Sequence, residues 1–162
     1  MKIIGKNQIS ERQILRIFLP AMEASLLQEI PNAYFCVFVL CDSNNLDVDT
    51  IFEFAENLLS RAAVYFSFWG KDCERVHDIF DEAISIQYPS ETEHSVRMTT
   101  WHSDESIDEA LWFFLNVAFP AHDYSNNCNA ELIIVIENEE WKRHIEERVL
   151  DQKNLSKDVI GD

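Results

Sequence analysis

Apolar residues in the middle and late parts of the chain gather into short unbroken runs, as they do in buried strands. Residues 34–41 form one such run, and residues 64–69 and 131–136 form two more. Residues 95–101 are less apolar and fit a strand nearer the edge of a sheet. Because a strand buried on both faces is apolar throughout, the pattern predicts four strands of a mostly parallel sheet.

Helical spacing of apolar positions follows each predicted strand. Ser106 and Glu109 have the spacing of a capping box, which marks the start of one of these helices. The predicted helices cover residues 47–61, 72–83, 107–119 and 139–151. Alternating strands and helices predict a three-layer α/β fold, with a mostly parallel four-stranded sheet and helices on both faces.

The two ends of the chain carry different patterns. Ser10 to Gln13 resemble a capping box, and Ile14, Leu15, Phe18 and Leu19 follow with helical spacing. Residues 1–31 are therefore predicted to form an N-terminal helical extension. The polar tail, residues 152–162, is expected to fray. A chain of 162 residues fits one α/β domain, residues 1–162.

The charge of the chain indicates which kinds of ligand it can bind. The formal net charge is −16, with four basic and three acidic residues in 1–30 but nine basic and 26 acidic in 31–162. Residues 98–141 contain nine acids and no Lys or Arg. Such a field repels nucleic acid and anionic membranes and favours cations or a basic protein partner.

The termini and the cysteines bear on the compartment. The first residues lack the apolar stretch of a signal peptide, and no apolar run approaches the roughly 20 residues that cross a membrane. We therefore expect a cytoplasmic protein. The four cysteines show no metal-ligand spacing and are expected to be reduced thiols; they are Cys36, Cys41, Cys73 and Cys128.

Ligands of open parallel sheets bind beyond the carboxyl ends of the strands, and here that edge is acidic. The first predicted strand ends without the glycines of a dinucleotide site, and the chain has no P-loop pattern. NAD, FAD and ATP are therefore not expected, and neither is any other cofactor. The expected contact face for a partner is Asp42, Trp69, Asp72, Trp101, Asp104 and Glu105.

The same edge holds candidates for catalysis. Cys73 falls in the first turn of its predicted helix, where the helix dipole lowers a thiol pKa. His102 could act as its base, oriented by Asp104 or Asp42. The adjacent Asp72 opposes thiolate formation, and the competing interpretation is a Cys73 that simply packs under the loop.

A divalent cation held at this edge is a second chemical alternative. Asp42, Asp104 and Glu137 each follow a predicted strand and could supply oxygen ligands. Acidic residues are also favoured at helix N-termini whatever the function, which accounts for the same pattern without a metal. No metal site is predicted.

Two segments resemble a small bacterial domain family of unknown function. They read Trp69-Gly70-x-Asp72-Cys73-Glu74-Arg75-Val76-His77-Asp78 and Thr99-Thr100-Trp101-His102-x-Asp104-Glu105-Ser106. The resemblance extends over residues 34–145. It implies a bacterial, cytoplasmic protein and supplies no reaction.

Two hypotheses follow from these residues. The first is a non-enzymatic, acidic interaction protein, either immunity-like or an accessory subunit, that binds a basic protein partner. The second is a small hydrolase or transferase that uses Cys73 with His102, or a divalent cation at the acidic edge. Charge and the lack of a complete catalytic motif favour the first.

Overall fold

A computed structural model describes residues 1–31 and 33–161. The strands are β1 (Lys2–Lys6), β2 (Gln13–Leu19), β3 (Tyr34–Leu40), β4 (Ala63–Trp69), β5 (Met98–Trp101) and β6 (Cys128–Ile136). The α-helices are α1 (Val48–Ser60), α2 (Cys73–Gln87), α3 (Ile107–Asn116), α4 (His122–Ser125), α5 (Glu139–Leu150) and α6 (Gln152–Ile160), and a single 3₁₀ turn covers Ala24–Leu26.

One mostly parallel sheet holds all six of these strands, in the order β1-β2-β6-β3-β4-β5. Only β1 runs antiparallel to its neighbour β2. The α/β class and the mostly parallel sheet are confirmed, whereas the predicted count of four strands is wrong.

The two strands that were not predicted lie in residues 1–31, the segment predicted to be a helical extension. Residues 2–6 and 13–19 are β1 and β2, and β2 pairs with β6 in a register that sets Leu15 beside Leu132. Ser10 caps no helix; its hydroxyl donates to the Glu131 carboxylate at 2.8 Å. A short apolar run fits either a strand or a helix, and pairing with β6 decides between them here.

The C-terminal tail is also more ordered than predicted. Gln152–Ile160 forms α6 instead of fraying, and the Asp151 side chain accepts a hydrogen bond from the main-chain N–H of Asn154. Leu155 is completely buried in the core. Leu155 and the buried Gln152, which donates to the carbonyl of Lys6, anchor this helix against the protein.

Helices cover both faces of the sheet, as predicted. Ile51 of α1 and Val76 of α2 belong to the core on one face. Leu111 of α3, Ile145 of α5 and Leu155 of α6 belong to the core on the other face. No helix of the described residues is long and apolar enough to cross a membrane.

This topology fixes where a ligand site can form. Neighbouring strands β3 and β6 are followed by α1 and α5, which pack on opposite faces of the sheet. Chains that leave two adjacent parallel strands in opposite directions open a crevice at their carboxyl ends. The acidic carboxyl edge is therefore the place to look for a site.

Candidate functional site

A cleft of about 270 Å³ lies at this carboxyl edge, between the ends of β3 and β4 and the start of α5. We call it the tryptophan cleft. It is lined by Asp42, Trp69, Gly70, Lys71, Ser103, Glu105 and Trp141. Three residues of the predicted contact face, Asp42, Trp69 and Glu105, are thus brought together.

Two indole rings form one wall of the tryptophan cleft. Trp69 and Trp141 meet edge to face, with ring centroids 5.1 Å apart and planes at 76°. The Trp69 Nε1–H donates to the carbonyl of Glu105 at 2.9 Å. The main-chain N–H of Trp141 donates to the Asn138 side chain that caps α5. The Trp69 ring is therefore fixed by a hydrogen bond, and the Trp141 ring packs against it at the start of α5.

A close backbone crossing sets the floor of the cleft. Gly70 has a φ of +122°, and a Cβ built on it would lie 2.0 Å from the carbonyl oxygen of Cys41. The N–H of Cys41 in turn donates to the carbonyl of Trp69 at 3.1 Å. Only glycine fits this crossing, which brings the end of β4 against the end of β3.

The carboxylates of the predicted contact face are exposed, and two of them, Asp42 and Glu105, belong to residues that line the cleft. Asp42, Asp72, Asp104 and Glu105 are all open to solvent, and Asp42 accepts the N–H of Asn44 at 3.1 Å. Lys71 is the cation among the lining residues. Arg75 lies close by, but its guanidinium donates to the carbonyls of Ser43 and Leu46. It therefore braces the loop after β3.

His102 is buried beneath this edge and holds one of the carboxylates. Its Nδ1 lies 2.8 Å from Oε2 of Glu105, and its Nε2 lies 3.0 Å from the hydroxyl of Ser67. Ser67 also contacts the hydroxyl of Thr100 at 3.0 Å. Both ring nitrogens are occupied in this way, and the imidazole fixes the side chain of Glu105, a residue that lines the cleft.

The candidate nucleophile Cys73 lies apart from the His102 ring nitrogens. Its side chain is completely buried, and burial raises the pKa of its thiol. A hydrogen bond from the main-chain N–H of His102 opposes that rise, but the imidazole itself bonds to Ser67 and Glu105. The geometry thus gives no support to a Cys73–His102 pair oriented by Asp104.

Trp101 is separated from Trp69 by the sheet. Phe68, the register partner of Trp101, packs in the core on the α1 and α2 face, whereas Trp69 packs on the opposite one. Trp101 is 43% exposed and rests on His77 of α2, with ring centroids 4.3 Å apart. The two tryptophans do not share one contact face.

The acidic residues of this edge do not form a metal-binding cluster among the described residues. Within residues 1–31 and 33–161, no three His, Cys, Asp or Glu side chains converge on a possible metal position. The cation alternative with Asp42, Asp104 and Glu137 therefore gains no geometric support.

Sequence reasoning missed two features of the site. Trp141 falls within the predicted helix over residues 139–151, but the sequence does not place it at the cleft, because its position depends on how α5 packs. Ser67 and the His102–Glu105 pair were missed as a network. The spacing of three residues between His102 and Glu105 was the one available signal for that pair.

Comparison with known proteins places the chain in a family. A model of a domain of unknown function, DUF7684, matches residues 18–152. No curated protein and no solved structure matches the chain. The match starts within β2 and ends within α6, so it takes in most of the sheet and the whole carboxyl edge. The predicted membership of a family of unknown function is confirmed, and the chain belongs to the DUF7684 family.

Proposed function

We propose that this protein is a non-enzymatic binding protein that takes a basic segment of a partner protein into the tryptophan cleft. The observation that carries the proposal is the position of two exposed carboxylates, Asp42 and Glu105, beside two indole rings. An immunity-like protein or an accessory subunit would use such a site.

The chemistry of the cleft suits an arginine or lysine side chain. A cation over an indole face gains about 0.5–1 kcal/mol when exposed and about 2 kcal/mol when desolvated. Carboxylates next to the rings add charge-assisted hydrogen bonds, which are the stronger kind. A volume of about 270 Å³ admits one long side chain and not a whole folded element.

The long-range field favours the same partner. The net charge of −16 speeds the encounter with a basic protein and slows the encounter with an acidic one. A second depression of about 320 Å³ continues past Trp69 and Trp141 to Glu140 and Glu147, with Arg143 on its rim. A basic segment that runs along both would meet acids on either side of the indole pair.

Titration calorimetry with synthetic peptides tests this proposal. The probes are an Arg/Gly decapeptide and a Glu/Gly decapeptide, each added to the full chain in 100 mM NaCl. We expect heat of binding from the Arg/Gly peptide only. No binding of the Arg/Gly peptide, or equal binding of both, would contradict the proposal.

Paired variants separate the cleft from bulk charge. Asp42→Asn with Glu105→Gln should weaken Arg/Gly binding about tenfold, since a tenfold change is about 1.4 kcal/mol. Glu53→Gln with Glu56→Gln removes the same charge from the exposed side of α1 and should change affinity little. Trp141→Ala should weaken binding, and its matched control Trp101→Ala should not. Equal losses in both pairs would mean that only net charge is recognised.

A further inference from the structure

A pair of thiols lies in contact at the opposite, amino-terminal edge of the sheet. Cys36 of β3 and Cys128 at the start of β6 have their Sγ atoms 3.7 Å apart. Both belong to the core on the α3 and α5 face. The two strands are hydrogen-bonded neighbours, so the thiols are held together by the sheet itself.

A buried ion pair surrounds these thiols. Nη1 of Arg12 lies 3.9 Å from Sγ of Cys36, and Nε donates to the carbonyl of Cys128 at 2.9 Å. The same guanidinium faces the Glu131 carboxylate at 3.6 Å. Asn7 and Ser10 donate to that carboxylate and fix it in place. A cation beside a thiol stabilises the thiolate, which is the form that reacts.

One of the two cysteines borders a depression at the surface. A depression of about 410 Å³ opens at this edge, and both Arg12 and Cys128 line it. Cys128 is 4% exposed, whereas Cys36 lies behind it with no exposed surface. A small oxidant in the depression therefore meets Cys128 first, with Cys36 placed to follow.

We propose that Cys36 and Cys128 form a reversible disulfide when the protein meets hydrogen peroxide. The Cys128 thiolate attacks the peroxide, so that an S–O bond forms as the O–O bond breaks, and the released hydroxide takes up a proton to leave as water. Cys36 sulfur then attacks the resulting Cys128 sulfenic acid. An S–S bond forms, the S–O bond breaks, and the departing hydroxide takes the proton of Cys36. The two thiols lose two electrons and the peroxide gains them.

The ionisation of the two thiols agrees with these separate roles. A hydrogen bond from Cys36, together with the Arg12 charge, lowers the pKa of Cys128 despite its burial. The same contact and burial raise the pKa of Cys36. Because Cys128 also borders the depression, we assign it the attacking thiolate and assign Cys36 the second step.

The chain supplies its own control thiols. Cys41 and Cys73 are completely buried at the other edge of the sheet. Burial raises the pKa of Cys41 to about 12 and raises the pKa of Cys73 as well. Neither thiol should oxidise while the protein stays folded.

Mass spectrometry of the oxidised full chain tests the disulfide. The reduced, folded protein is treated with hydrogen peroxide, quenched with catalase, unfolded in urea with N-ethylmaleimide, and digested with trypsin and chymotrypsin. We expect two of the four thiols to escape the maleimide, a Cys36–Cys128 crosslinked peptide, and full reversal by dithiothreitol. Four labelled thiols, or a crosslink that includes Cys41 or Cys73, would overturn the proposal.

Variants identify the order of the two steps. Cys36→Ser should leave a Cys128 sulfenic acid that dimedone traps, whereas Cys128→Ser should leave Cys36 unoxidised. Cys41→Ser with Cys73→Ser should form the crosslink as the native chain does. Dimedone on Cys36 in place of Cys128 would contradict the assigned order. The result on the native chain stands by itself if a variant fails to fold.

Discussion

Glu131 is the acid that the sheet buries most completely. It sits in the middle of three strands at 1% exposure, and Asn7, Ser10 and Arg12 all contact its carboxylate. Burial raises the pKa of this carboxyl more than those contacts lower it. The folded state consequently holds the Glu131 proton to a higher pH than the unfolded chain does.

Glu131→Gln should therefore change how stability depends on pH. Since the folded pKa of Glu131 lies above the unfolded value, its contribution to stability is full at low pH and is lost as the pH rises through the folded pKa. Each unit of pKa difference is worth about 1.4 kcal/mol. In urea unfolding, the free energy of unfolding of the native chain should rise relative to that of the variant as the pH is lowered from 8 to 4.

The groups that contact Glu131 oppose the rise in its pKa, which comes from burial. Arg12 is its one charged neighbour among the contacts described, and the thiols of Cys36 and Cys128 lie next to Arg12. Glu53→Gln, on the exposed side of α1, is the control and should give no such pH-dependent difference. A native-to-variant difference that is constant from pH 4 to pH 8 would count against a raised Glu131 pKa.

Alkylation of Cys73 tests the enzymatic alternative at the same scale. A buried thiol with a raised pKa should react with iodoacetamide at pH 7.5 only when the chain opens. We expect labelling of Cys73 to be slower than that of a free cysteine in solution and to reach completion in urea. Rapid labelling of the folded chain at Cys73 would restore the nucleophile hypothesis.

At the scale of elements, the apolar pattern identified the central strands but not the N-terminal ones. Continuous runs such as residues 34–40 can only be buried on both faces, and they were predicted as strands. β2 is a seven-residue segment whose apolar positions fit helical spacing equally well. Its identity depends on pairing with β6, which lies more than 100 residues away in the chain. The local pattern contains no trace of that pairing.

The residues of the candidate site were likewise predicted only in part. Asp42, Trp69 and Glu105 were predicted from their places at strand ends, a local property. Trp141 lines the cleft because of how α5 packs. Trp101 does not, because it lies beside Phe68 in the sheet, and consecutive residues such as Phe68 and Trp69 face opposite sides of the sheet. The sequence pattern does not show which face of the sheet a strand-end residue will reach.

Gly70→Ala tests the element that shapes the cleft. The added Cβ would overlap the Cys41 carbonyl oxygen at 2.0 Å, and the φ of +122° is unfavourable for alanine. We expect a loss of at least about 3 kcal/mol in the free energy of unfolding, measured in urea. Gly161→Ala is the matched control, because a Cβ there meets nothing within 4 Å at the end of the chain. Equal stability of both variants would contradict the close crossing.

At the scale of the whole molecule, the exposed acidic residues and the cleft lie at the same edge of the sheet, the carboxyl ends of the strands. Asp42, which follows β3, and Glu105, which follows β5, line a cleft whose aromatic wall is formed by Trp69 and Trp141. The opposite edge carries the thiol pair and the Arg12–Glu131 contact instead. The proposed binding cleft and the proposed disulfide therefore lie at different edges of one sheet, and each can be tested without disturbing the other.

The most direct test of binding at the tryptophan cleft is to follow the indole N–H signals during a peptide titration. The chain has four tryptophans, Trp69, Trp101, Trp112 and Trp141, and each gives one such signal. ¹⁵N-labelled protein is titrated with the Arg/Gly decapeptide in 100 mM NaCl. We expect the Trp69 and Trp141 signals to shift together while those of Trp101 and Trp112 stay in place. Shifts centred on Trp101, or a titration that moves none of the four, would contradict it.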